Sequence, residues 1–135
     1  MNPPRVLMAE ISAGELLDKI AILEIKQRRI PDAAKQQNIR RELESLSAVR
    51  ARALPSTPAL DAHFAELIRV NEILWNTEDE IRDCERRKDF GSRFVQLARA
   101  VYHTNDQRSA IKRAVNELAG SRLVEEKSYA SYDAC

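Results

Sequence analysis

The sequence predicts an all-α fold, an antiparallel up-and-down bundle of about four helices that includes one long coiled-coil-like hairpin. Apolar residues recur at spacings of three and four along most of the chain. Only three glycines and five prolines occur in 135 residues, and 32% of the residues are charged, which is typical of helix-rich domains. Prolines at 31, 55 and 58 and a glycine at 91 divide the apolar pattern into four segments with short connections. Short connections favour antiparallel neighbours.

The length of 135 residues fits one domain, and we expect a single helical domain over 1–135 with less regular ends at 1–11 and 121–135. The formal net charge is only +1, so the whole molecule has no field that attracts polyanions. The N-terminus lacks the apolar run of a signal peptide, and no stretch approaches the roughly 20 apolar residues of a membrane span. Cys84 and Cys135 lie far apart in the sequence. Together these features predict a cytoplasmic protein with reduced thiols and no membrane partner.

Helix one is predicted over about Ala13 to Arg29, because Ser12 and Glu15 form a capping-box pattern at its start. Pro31 ends this segment, and Asp32 is placed to cap the second helix. The second helix then runs to about 53 with apolar residues at 39, 43 and 46. We expect it to pack back on helix one.

Helix three is predicted to begin at Pro58, behind an N-cap at Thr57, and to reach about Lys88. A turn at 89–92 leads into helix four, which Gly120 ends. The predicted seam of helix three consists of Leu60, Phe64, Leu67, Asn71, Leu74, Glu78 and Ile81. The predicted seam of helix four consists of Phe94, Leu97, Val101, Thr104, Arg108, Ile111, Val115 and Leu118.

Helices three and four are predicted to be longer than helices one and two, so part of their hairpin lacks a partner within one chain. A second subunit would cover that part, and we therefore expect a homodimer. The segments 6–11 and 123–124 are expected to pair as short strands.

Four seam positions of the hairpin are polar, namely Asn71, Glu78, Thr104 and Arg108. Since a charged group on a packed face needs a partner, we expect Glu78 to pair with Arg108. Residues on neighbouring faces extend the cluster. The candidate ligand-binding residues are Glu24, Asn71, Trp75, Glu78, Tyr102, Asn105, Arg108 and Lys112.

Two interpretations of this cluster stand side by side. In the first, it is an ion-pair network that fixes register in a non-catalytic interaction and oligomerisation module, which would bind a protein partner or its own copy. In the second, it is a pocket for a small anionic ligand, in which Arg108 and Lys112 hold the anion and Glu24 or Glu78 acts as acid or base. The sequence contains no complete catalytic motif.

Metal, cofactor and nucleic-acid sites have little support in the sequence. Neither His63 nor His103 follows a glutamate by three residues, the pattern of carboxylate-bridged metal bundles, and we expect no metal and no cofactor. Basic clusters at 26–29, 40–41 and 86–88 are a possible nucleic-acid surface. Two of them lie at helix ends, where cations favour the helix dipole, so nucleic acid is the least favoured partner.

The stretch from Gly14 to Lys26, with the sequence GELLDKIAILEIK, resembles the signature of an uncharacterised family of small bacterial helical proteins, a domain of unknown function. Further resembling blocks are 74–82, 98–106 and 124–129, so the likeness spans most of 11–129. The resemblance implies a bacterial source, and it implies that these blocks share one structural or functional role. It implies no activity and no catalytic residue.

Overall fold

The computed structural model describes residues 3–133 and contains four α-helices in that part of the chain, which confirms the all-α class. The helices are α1 (Ala13–Arg29), α2 (Ala33–Ala53), α3 (Pro58–Arg86) and α4 (Ser92–Ala119). Residues 1–2 and 134–135 lie outside the described part, and the predicted thiol of Cys135 is among them. None of the described helices is long and apolar enough to cross a membrane.

Local capping sets three of the helix starts as the sequence predicts. The side chains of Ser12, Asp32 and Thr57 each accept a hydrogen bond from the backbone N–H three residues later, at 3.2, 2.9 and 3.2 Å. Each bond satisfies one of the N–H groups that a helix start leaves without a partner. Gly120 ends α4 with φ of 66°, in the left-handed region where glycine is least strained.

The end of α3 differs from the prediction by two residues. The helix stops at Arg86 because Lys88 adopts a left-handed φ of 56°. The N–H of Asp89 then donates to the carbonyl of Cys84 at 2.9 Å, and the N–H of Lys88 donates to the carbonyl of Glu85 at 3.1 Å. This is the Schellman arrangement, here with a lysine at the position where glycine is usual.

Helix α1 is the centre of the architecture, because it packs against α2 on one side and against the α3–α4 hairpin on the other. Its residues 13, 14, 16–18, 20, 21, 23 and 25 are all buried. Helix α2 packs on α1 and buries only Ile39. The main core therefore lies between α1 and the hairpin, and it consists of Ala13, Leu17, Ala21, Leu60, Leu67, Val70, Ile111 and Val115.

Cross-helix contacts give the direction of the helices. The N–H of Gly14 donates to Oδ1 of Asn116 at 2.7 Å, whereas Asp18, one turn later, bonds Arg108, two turns earlier in α4. The pairs run in opposite order along α1 and α4, as expected for antiparallel helices. At 1.5 Å per residue, α1 with 17 residues spans about 25 Å and α3 with 29 residues spans about 43 Å.

Two predictions about the seams and the ends are wrong. Leu118, assigned to the seam of α4, is 53% exposed, because it lies in the last turn of that helix. No strand occurs within residues 3–133, so 6–11 and 123–124 do not pair as strands. The two ends meet instead through side chains: Arg122 bonds Glu10, and the N–H of Ala13 donates to Oγ of Ser121 at 2.8 Å.

Candidate functional site

A buried carboxylate, Asp18, lies where α1, α3 and α4 meet, and its side chain is only 1% exposed. The Arg108 guanidinium donates to both carboxylate oxygens, from Nε at 3.0 and 3.2 Å and from Nη2 at 2.5 Å. Asn71 adds a hydrogen bond from Nδ2 to Oδ1 at 2.8 Å. Charge-assisted bonds of this kind are the strong ones in a protein interior. They raise the pKa of Arg108 above its ordinary value, chiefly through the hydrogen bond to Asp18.

Lys112 lies one helical turn further along α4 and contacts three carboxylates. Its Nζ is 2.7 Å from Glu15, 3.3 Å from Glu125 and 3.8 Å from Asp18. Burial lowers the pKa of Lys112, but the hydrogen bonds and charges of Glu15, Asp18 and Glu125 together raise it by more, so the pKa lies above its ordinary value. We name Asp18, Asn71, Arg108, Lys112 and Glu15 the Asp18 network.

Gly14 allows the Asp18 network to form, because it lets α1 approach the backbone of α4. A Cβ atom at this position would collide with the carbonyl oxygen of Lys112 and would lie 2.9 Å from Oδ1 of Asn116. Glu15 and Asp18 follow Gly14 on the same side of α1, and Arg108 and Lys112 are one turn apart on α4. The i, i+3 and i, i+4 spacings therefore place two acidic groups opposite two basic groups.

The structure brings five predicted site residues together in one cleft, of about 500 Å³, where α1, α3 and α4 meet. These five are Asn71, Trp75, Glu78, Asn105 and Arg108. The remaining lining residues are Ile22, Ile25, Leu74, Asp79 and Arg82. We call this space the Trp75 cleft. It has an apolar floor from α1 and α3 and charged groups along its rim.

The other three predicted site residues lie outside the Trp75 cleft. Lys112 belongs to the Asp18 network on the far side of Arg108. Tyr102 is 41% exposed and packs against His103 and Tyr132, with ring centroids 4.9 and 5.2 Å away. Glu24 is half-buried on α1. The eight candidates therefore do not form one site.

The predicted ion pair between Glu78 and Arg108 is wrong. Glu78 is 3.7 Å from Arg82 on its own helix, with side chains 47% and 78% exposed, and Arg108 binds Asp18 instead. The sequence analysis did not predict Asp18 as a site residue, and it did not predict the ion pair of Glu15 with Lys112. The sequence does carry a signal for Asp18, because it shares a helical face with the buried Ala21 and with Ile25.

The predicted capping box at Ser12 and Glu15 forms only in part. Ser12 accepts from the N–H of Glu15, as expected. The Glu15 carboxylate does not bond back to Ser12; its oxygens lie 2.7 Å from Lys112 and 3.9 Å from Lys19. A tertiary ion pair has therefore replaced the second half of the local motif.

The segment after α4 lies back along that helix without regular structure. Glu126 contacts Arg113 at 3.4 Å, and the Tyr132 hydroxyl donates to Oδ2 of Asp106 at 2.5 Å. That hydrogen bond raises the pKa of Tyr132 to about 12. Hydrogen bonds from Lys127 and Lys112 lower the pKa of Glu125. We call residues 121–133 the C-terminal strap.

The carboxylates around Arg108 and Lys112 argue against the anionic-ligand hypothesis. Arg108 and Lys112, the two residues expected to hold an anion, already contact the carboxylates of Asp18, Glu15 and Glu125. Lys19 and Lys127 also contact Glu15 and Glu125, so each of the three carboxylates already has a basic partner. An anion would have to displace a carboxylate to bind here, which costs the buried ion pair much of its stabilisation.

The basic clusters at the helix ends are also partly paired. Arg28 lies 2.7 Å from Glu72, and Asp83 bonds both Arg86 and Arg87. Within residues 3–133, no group of three or more His, Cys, Asp or Glu side chains is placed to hold a metal ion.

No family model, curated protein or solved structure matches this chain. The resemblance to an uncharacterised bacterial family therefore stays a prediction.

Proposed function

We propose that this chain is a non-catalytic helical interaction module that associates with a second copy of itself. The observation that carries the proposal is the unequal length of the packed helices. The contacts from α1 reach as far as the Trp75 cleft. They leave the part of the hairpin nearer its tip without a covering helix in the described residues. Phe90 and Val95, near that tip, are 51% and 52% exposed.

Apolar surface of this kind favours association. Burying it stabilises a complex by about 25 cal/mol for each Å² removed from water. A second copy is the partner we propose, because the acidic and basic side chains near the tip pair within the chain, so two such surfaces do not repel each other. Glu80, Asp83 and Glu85 contact Arg93, Arg86 and Lys88 there. Mixed charges of this kind favour a specific partner more than they add affinity.

The Asp18 network has a structural role in this proposal. Every buried side-chain nitrogen and oxygen atom in the described residues has a hydrogen-bond partner. A satisfied polar network specifies how helices pack against each other, as single polar seam residues do in coiled coils. The proposal also places the module in the cytoplasm, where the buried thiol of Cys84 would stay reduced.

Sedimentation velocity of the untagged protein at micromolar concentration tests the proposal. We expect a species of twice the 15.4 kDa chain mass. Val95→Asp should shift the protein towards the monomer, because it places a charge on the surface that we propose to be covered. Leu118→Asp is the matched control, since Leu118 is equally exposed, at 53%, near the other end of the same helix. A strictly monomeric wild-type protein would refute the proposal.

A further inference from the structure

The N-terminal arm, residues 3–11, carries the most exposed apolar side chains among the described residues. Val6, Leu7 and Met8 are 80%, 89% and 87% exposed. They precede the N-cap of α1 and belong to no helix or strand. A contiguous, solvent-exposed apolar segment of this kind is typical of an interaction site.

The Trp75 cleft has the complementary chemistry. The half-buried side chains of Ile22 and Trp75 offer apolar surface there, above the buried Ile25 and Leu74. Glu78 and Asp79 add carboxylates at the rim. Extended peptides bind to such clefts with apolar side chains on the floor and charged residues at the edge.

The N-terminal arm carries a basic residue where the rim of the Trp75 cleft is acidic. Arg5 immediately precedes the apolar triplet, so its guanidinium would lie at the rim when the triplet is on the floor. Arg108 does not oppose this, because the buried carboxylate of Asp18 neutralises its charge. Arg82 lies beside Glu78, which leaves Asp79 as the excess negative charge of the rim. Pro3 and Pro4 favour an extended backbone, which reduces the entropy lost on binding.

The arm is poorly placed to reach the cleft of its own chain. Glu10, at the base of the arm, bonds Arg122 beyond the end of α4, whereas Ile22 and Ile25 lie in the opposite half of α1. The groove between α1 and α4 that separates them holds the C-terminal strap, in which Glu125 contacts Lys112. The cleft of a second copy has no such obstacle.

We propose that the N-terminal arm of one copy binds in the Trp75 cleft of a second copy, with Leu7 and Met8 on the apolar floor and Arg5 beside Glu78 and Asp79. This inference rests on the proposed self-association and adds to the hairpin-tip surface a second contact on which the dimer depends. In a symmetric dimer the two arms would be exchanged, so each contact occurs twice.

The full-length double variant Leu7→Asp/Met8→Asp tests the arm. We expect it to be monomeric with an unchanged far-ultraviolet circular dichroism spectrum, because both side chains are exposed in the folded chain. Val124→Asp is the control, since it adds an acid at another exposed apolar position, 42% exposed in the C-terminal strap. It should leave the dimer intact.

A synthetic peptide with the sequence of residues 3–12 tests the cleft when it is added to that double variant. Trp75 is the only tryptophan of the chain, so its fluorescence reports on the cleft without a label. We expect a saturable blue shift, and about tenfold weaker binding for a peptide with Arg5→Glu. A protein that also carries Glu78→Gln and Asp79→Asn should lose this preference for Arg5.

The outcomes separate the two proposals. If the wild-type protein dimerises and neither the arm variant nor the peptide has an effect, the arm inference is wrong and the interaction module stands. If the wild-type protein is monomeric and Trp75 of the double variant still responds to the peptide, binding of the arm between copies is overturned, and the cleft remains only a site for such a peptide. A monomer without any peptide response would overturn both.

Discussion

Replacing Asp18 by asparagine would remove the charge of the Asp18 network while keeping the side-chain volume. The amide nitrogen of the new side chain would then face donors, because Arg108 and Asn71 both donate to the present carboxylate. Breaking a buried ion pair by changing one partner costs about 3–5 kcal/mol. Arg108 retains 28% of its side-chain exposure and stays partly hydrated, so we expect a loss near the lower limit, about 3 kcal/mol.

Urea denaturation followed by circular dichroism and by Trp75 fluorescence would measure this loss. The matched control is Asp83→Asn, which removes a carboxylate that bonds Arg86 and Arg87 on the surface. Exposed pairs contribute little to stability, so this control should unfold at the wild-type urea concentration. Both variants change one Asp to Asn on a helix, and they differ mainly in burial.

A double-mutant cycle separates the ion pair from other effects of the substitution. Arg108→Gln combined with Asp18→Asn should be less destabilising than the sum of the two single variants, by about 1–3 kcal/mol. The reasoning is refuted if Asp18→Asn costs less than about 1 kcal/mol or if the two changes are additive.

Two further predictions concern single contacts. Gly14→Ala should destabilise the protein by about 1–3 kcal/mol in the same urea assay, because the added methyl group would collide with the backbone carbonyl of Lys112. Gly91→Ala, whose Cβ would lie 3.3 Å from a flexible Asp89 side chain, should have a much smaller effect. The phenol of Tyr132 should ionise with a pKa of about 12 in an ultraviolet absorbance titration, and Tyr132→Phe should remove that late step. Since its folded pKa is raised from 10.0, its contribution to stability is complete below that pH and is lost as the pH rises to about 12. If Tyr132→Phe instead removed a step near 10, the hydrogen bond would be contradicted.

The sequence determined the helices of this protein because the signals that start and end a helix are local. Ser12, Asp32 and Thr57 cap the helices that the sequence assigns to them. The apolar spacing also indicated which side of each helix is buried, and Asn71, Trp75, Glu78, Asn105 and Arg108 do line one cleft. A hydrogen bond within four residues or a repeat along one helix depends on neighbouring residues. It can therefore be predicted unless a tertiary contact replaces it, as Lys112 does for the Glu15 carboxylate.

The tertiary structure alone decided which charges pair across helices. Periodicity places Glu78 and Arg108 on facing seams, but it does not give the height or rotation of one helix against its neighbour. A shift of one turn moves a side chain by about 5.4 Å, more than the length of a hydrogen bond. In the folded chain Arg108 pairs with Asp18 of α1, and Glu78 of α3 lies beside Arg82 of its own helix. The close approach of α1 to α4 at Gly14 fixes the height of α1 against α4, because packed helix surfaces interlock only at discrete registers.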